Sequence, residues 1–118
     1  MGTPTFDGNF LSSRGWYVSL ASNQSTILAR HTKLQVTTAS QIALAAEANR
    51  KYALLVNVSD APIYLKIGEA AVVEEGIPLL TAGSSYEMSS GLGNLDKRNI
   101  YAIHGGTGTK NLLIAEGV

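Results

Sequence analysis

Apolar and polar side chains alternate most regularly between Arg50 and Gly68, RKYALLVNVSDAPIYLKIG. In the first half, Tyr52, Leu54, Val56 and Val58 fall on one face, and Ala53, Leu55, Asn57 and Ser59 on the other. In the second half, Ile63, Leu65 and Ile67 share a face that Tyr64 and Lys66 oppose. A period of two is that of a strand with one buried side. Ser59-Asp60-Ala61-Pro62 supplies turn chemistry between them: Asp can bond its own backbone, and Pro has a preset φ and no donor. The stretch predicts a β-hairpin. A hairpin alone is marginal in water, so further strands must complete a sheet around it. The apolar alternating faces give an expected core of Leu54, Val56, Ile63, Leu65, Ile100 and Leu112.

The rest of the chain supplies those strands. Lys33 to Thr38 alternates and carries β-branched residues, which suit a pleated surface. Gln41 to Ala48 has the composition of a helix, with Ser40 as a possible cap. Ile42 and Leu44 nevertheless alternate between flanking strands, and a strand passing into a loop is expected there. Glu69 to Gly76 reads as a short connection exposing Glu74 and Glu75. Ile77–Leu80, Tyr86–Ser89, Asn99–His104 and Asn111–Glu116 read as short strands separated by Gly-containing turns. About eight strands at regular spacing predict an all-β fold: a single antiparallel β-sandwich of jelly-roll type. Residues 1–14 show neither period. Trp16–Leu20 is a short strand candidate with Trp16, Val18 and Leu20 on one side, and Ser22–Ser25 breaks it. Thr26 to Arg30 suits a strand or a helical turn. The expected organisation is an extended N-terminal arm over 1–31 and a β-sandwich domain over 32–118.

Composition narrows the functional classes. The chain has 118 residues, enough for one domain, with 45% hydrophobic residues but only 15% charged, against about 25% in an ordinary soluble protein. So few charges leave much neutral surface, which burial in an assembly would account for; a Ser-, Thr-, Gly- and Asn-rich monomer is the other reading. Nine basic and nine acidic residues cancel, so there is no basic footprint for nucleic acid. The dense charged spots, Asn49-Arg50-Lys51 and Asp96-Lys97-Arg98, read as solvated turns. Cysteine is absent, which excludes disulfides, thiolate nucleophiles and zinc–thiolate sites. No leader-like N-terminus or membrane-length apolar run is present, so a product made and kept in the cytoplasm, or leaving by cell lysis, is expected.

No catalytic motif survives inspection. GGTGTK at 105–110 fails the phosphate-loop pattern, because Thr109 and Asn111 stand where Gly and Ser/Thr are needed. LLIAEGV after it continues as a strand, not a helix, so a Gly-rich hairpin loop is expected. His31 and His104 have no companions at ligand spacing and suit structural hydrogen bonds. Glu74-Glu75 would point to opposite faces of a strand, as a charged edge rather than a catalytic pair. No G-x-S-x-G elbow occurs. The reading is of a protein that is not an enzyme and needs no cofactor or metal. Phe6, Phe10, Trp16 and Tyr17 cluster where the core pattern is weakest. Aromatic residues bury large area at low entropy cost, so these four are the candidate partner-binding residues. Trp16 has a second reading, closing one end of the core.

NRKYALLVNVSDAPIYLKIGEAA (49–71), GIPLLTAGSSYEMS (76–89) and GNLDKRNIYAIHGGTGTKNLLIAEG (93–117) together resemble a kind of small virion protein of tailed bacteriophages. The shared order is a strand ending in Asn-x-Ser, then Ile-Tyr-Leu-x-Ile-Gly, a Gly-Ser-Tyr-Glu strand, and Ile-Tyr-Ala-Ile with a Gly-rich turn. The resemblance spans roughly 49–117, mostly at core and turn positions; residues 1–48 carry no assignable motif. It implies a capsid decoration (cement) protein on the outside of a phage head. Its partner would be the major capsid (coat) protein, its state a homotrimer, and its location the virion. A head fibre or other surface module binding a host receptor or glycan is the alternative. For that role the loops Gly91–Asn94 and Gly105–Lys110 are the expected surface, if they share one end of the sandwich.

Overall fold

The computed structural model describes residues 27–118. They form eight strands and no helix: β1 (Ala29–Val36), β2 (Gln41–Leu44), β3 (Tyr52–Asn57), β4 (Ile63–Ile67), β5 (Ile77–Leu79), β6 (Ser85–Ser89), β7 (Ile100–His104) and β8 (Lys110–Gly117). The helical composition of 41–48 yields to sheet pairing, since Gln41–Leu44 bonds to β7 across a local register shift. β1 begins at Ala29, so residues 29–31, placed with the arm by the sequence reading, pair with Gly117, Glu116 and Ala115.

One sheet has the order β1-β8-β3-β6 and the other β2-β7-β4-β5, with every pair antiparallel. Pairs β1–β8, β2–β7, β3–β6 and β4–β5 fold the chain into one long double ribbon. Pairs β3–β8 and β4–β7 roll that ribbon up. This is the jelly-roll order. The two sheets enclose a core of Val36, Ala53, Leu55, Met88, Leu112 and Ile114 from the first and Leu44, Ile63, Leu65, Leu79, Ile100 and Ala102 from the second. Each fully buried Leu or Ile contributes roughly 1.5–3 kcal/mol of transfer free energy.

Four of the expected core residues, Ile63, Leu65, Ile100 and Leu112, are fully buried. Leu54 and Val56 are not: β3 turns Ala53, Leu55 and Asn57 inward, and leaves Tyr52, Leu54 and Val56 half-buried on the outer face. Register decides this, because Leu55 lies opposite Ile114 and Asn57 opposite Leu112. The inward Asn57 is fully satisfied. Its Nδ2 donates to the Ala61 and Leu79 carbonyls, both at 2.8 Å. Its Oδ1 accepts from the Ser59 amide and hydroxyl. A buried amide with four partners holds the β3–β4 turn, which is why this polar residue is tolerated in the core.

The connection from β4 to β5 is longer in its reach than its sequence suggests. Ala71 donates its amide to Ser40 Oγ, and Val73 lies against Gly105, so the segment doubles back over the outer side of the second sheet. Ile103, on that outer side, is only 8% exposed. Glu74 and Glu75 are exposed in this connection, not on a strand, and Glu75 pairs with Lys66. The return into β5 requires Gly76 at φ +82°, where a Cβ would collide with the Leu65 carbonyl oxygen.

Candidate interaction surfaces

Strand direction sorts the loops into two ends. One end carries the β2–β3 and β6–β7 loops, the start of β1 and the end of β8. The other carries the β1–β2, β3–β4, β5–β6 and β7–β8 loops. Gly91–Asn94 precedes β7 and Gly105–Lys110 follows it, so the two glycine loops lie at opposite ends of that strand. They cannot form the joint surface expected for a glycan or receptor reader.

At the far end, His104 is fully buried. The Gly106 amide donates to its Nδ1 at 3.0 Å, so the ring proton sits on Nε2, which donates to the Gly108 carbonyl at 2.7 Å. Both nitrogens hold the Gly-rich hairpin loop, the structural use expected of it. Lys110 donates to Asp60 at 2.8 Å across the neighbouring turn and lowers its carboxyl pKa.

At the near end, Arg50 overturns the solvated-turn reading of Asn49-Arg50-Lys51. Its side chain is fully buried. Nε donates to Glu116 Oε2 at 2.8 Å, Nη1 to the Asp96 and Arg98 carbonyls at 2.8 and 3.0 Å, and Nη2 to the Ala45 carbonyl at 2.7 Å. One planar guanidinium thus joins the β2–β3 loop, the β6–β7 loop and the end of β8. Arg30 adds Glu47 at 3.2 Å and Glu116 at 3.6 Å. Nearer the surface, Arg98 grips Asp96 through Nε and Nη2, and holds its carboxyl at about 2, below the ordinary 3.8. A sequence signal for the buried pair existed. Glu116 continues the inward set of Leu112 and Ile114, and an inward carboxylate demands a cation.

One apolar surface among the described residues is the outer face of the β1-β8-β3-β6 sheet. Its central strands present Leu113, Ala115, Leu54 and Val56. Its flanking strands are polar outside, with His31, Lys33 and Gln35 on β1 and Ser85, Glu87 and Ser89 on β6. Leu54, Val56, Leu113 and Ala115 floor a trough of about 270 Å³. Toward the near end, Ala115 and His31 also border a second cleft, of about 710 Å³. Ile27, Ala29, Tyr52, Leu95 and Gly117 floor that cleft, and Lys51 and Lys97 stand at it. The Tyr52 hydroxyl donates to Glu87 at 2.7 Å, which raises its pKa. An edge of β1, eight residues long, has no strand partner among the described residues.

The candidate partner-binding residues Phe6, Phe10, Trp16 and Tyr17 lie outside the described residues, as does the strand candidate Trp16–Leu20. The chain reaches the described fold at Ile27, inside the cleft. Among the described residues no group of three or more His, Cys, Asp or Glu is placed to hold a metal ion, and no helix is long and apolar enough to cross a membrane. No known protein family matches the chain, and no curated protein does.

Proposed function

We propose that this protein is a structural component of a virion: a capsid decoration protein that sits on the outer surface of a phage head and bridges neighbouring coat subunits. The observation that carries the reading is the jelly-roll order of the two sheets, in a chain with few charges. Jelly rolls recur in viral capsid and lectin domains, a fold-level analogy that supports the role without specifying it. The sequence resemblance over 49–117 points the same way.

In this reading the arm ahead of β1 makes the contact with the major capsid protein. Phe6, Phe10, Trp16 and Tyr17 supply apolar anchors, and main-chain pairing with a coat strand adds hydrogen bonds, as in strand addition. A homotrimer places three arms around a local three-fold axis of the shell. Weak individual clamps, repeated symmetrically, together oppose the pressure of packaged DNA. The receptor- or glycan-binding reading is weaker, because its two candidate loops stand at opposite ends of β7.

Deletion of residues 2–14 tests the clamp. The truncated protein is expected to fold, to lose capsid occupancy, and to give shells that break at lower temperature. Normal occupancy by the truncated protein, with loss of cell adsorption on mutating the glycine loops, refutes the clamp and installs the receptor reading. Sedimentation of the purified protein at high concentration tests the trimer; a strict monomer would restrict assembly to the capsid surface.

A further inference from the structure

The two sheets differ in how their outer sides are treated. The second is covered in part by the chain's own β4–β5 connection, and its outward Ile103 is buried. The first has no such cover among the described residues, yet its central strands β3 and β8 are apolar on both faces, as LLV at 54–56 and LLIA at 112–115 show. Strands with both faces apolar are those of sheets covered on both sides.

The point where the chain reaches the fold indicates what covers it. Ile27 lies over Gly117 on this same outer face, where a Cβ on residue 117 would come within 2.7 Å of Ile27 Cγ2. Gly117 leaves the room that Ile27 fills. Ile27, the first described residue, thus stands in the cleft itself. Twenty-six residues precede Ile27, and only Asp7 and Arg14 among them are charged. Within them Trp16, Val18 and Leu20 alternate onto one side, followed by the turn-forming Ser22–Ser25.

The geometry points to Trp16–Leu20 of the same chain as the cover of the apolar trough, with Trp16, Val18 and Leu20 facing Leu54, Val56 and Leu113. The six residues 21–26 span up to roughly 20 Å when extended, at about 3.3–3.6 Å each. The trough along β8, from Gly117 back to Leu113, is only about 14 Å long at about 3.4 Å per residue. A tether this short gives an effective concentration on the order of millimolar, which favours the chain's own segment over a separate molecule. Trp16 thereby leaves the set of coat anchors, and Phe6, Phe10 and the outward Tyr17 remain in it. This assignment does not rest on the virion reading.

Trp16 is the chain's single tryptophan, so its fluorescence reports on the segment directly. In the purified full-length protein its emission is expected to lie blue of that of the urea-unfolded chain and to resist acrylamide quenching. Leu54→Lys and Leu113→Lys, both at outward positions, should move emission and quenching toward the unfolded values while far-UV circular dichroism stays unchanged. Because the chain has no cysteine, Val18→Cys can be paired in turn with Leu54→Cys, Val56→Cys and Leu113→Cys. Oxidation should close at least one disulfide within a single chain, seen as a monomer on a non-reducing gel with no free thiol. An indole as exposed as in the unfolded chain, no crosslink with any of the three, or crosslinks only between two chains would each overturn the proposal. The last would make a second copy the occupant. All of these measurements are made without capsids, and the 2–14 deletion leaves the segment in place, so failure here and failure of the clamp are separate results.

Discussion

Replacing Arg50 by Met tests what organises the near end of the sandwich. The substitution keeps a long apolar stem and removes the guanidinium. Glu116, 7% exposed, then keeps only Arg30 Nη1 at 3.6 Å in place of a 2.8 Å pair. The carbonyls of Ala45, Asp96 and Arg98 lose a donor at the same time. Breaking a buried pair by removing one partner costs about 3–5 kcal/mol, and each orphaned buried carbonyl adds up to about 1–3 kcal/mol unless water reaches it. Water has access here, because the cleft borders Arg50, so the lower estimate of about 3–5 kcal/mol stands for the sum. With a urea slope near 1.5 kcal/mol/M for a domain of this size, the unfolding midpoint should fall by roughly 2–3 M. That is a large part of the 5–15 kcal/mol stability of an ordinary domain. Glu116→Leu on top of Arg50→Met removes the stranded carboxylate and should recover part of the loss, since an apolar replacement of a buried pair is often close to neutral. The assay is urea unfolding of the two single variants and the double variant, closed as a double-mutant cycle. A loss below about 1 kcal/mol for Arg50→Met, or a double variant at least as unstable as the sum of the singles, would refute the claim that this pair holds the loops together.

Two further outcomes follow from burial and from charge. Leu55→Ala should cost about 2–5 kcal/mol by opening a cavity between the sheets, and Leu54→Ala about 1 kcal/mol or less, because Leu54 points outward; equal losses in chemical unfolding would mean that the facing of β3 is misassigned. Asp96, held at about 2 against 3.8 by its bond to Arg98, contributes stability that is present above about pH 4 and is lost as pH falls toward 2; Asp96→Asn should flatten part of this acid limb in pH-resolved thermal unfolding and leave the neutral range nearly flat, and an unchanged acid limb would exclude the pair as a contributor.

The strands themselves were legible in the sequence. Alternation in KLQVTT, IYLKI and NIYAIH, with turn-forming residues between such runs, marks strands by local chemistry alone. The conflict at 41–48 resolved toward the strand because Gln41–Leu44 finds a partner in β7. What local pattern could not decide was which face of β3 is buried. YALLVN is apolar on both sides, the inward set contains the polar Asn57, and the bulkier set Tyr52, Leu54, Val56 looked like the core. Pairing with β8 reversed that, and only the non-local register Leu55↔Ile114 carries the information. The same holds for Arg50: beside Asn49 and Lys51 it looks solvated, and its burial depends on three segments far apart in sequence meeting around one guanidinium. It holds again for the glycine loops, whose sharing of one end depended on topology, and the direction of β7 puts them at opposite ends. Period and turn chemistry are properties of neighbours along the chain and can be read there. Facing, charge pairing and the sharing of an end are properties of neighbours in space, and the roll-up of the double ribbon chose them.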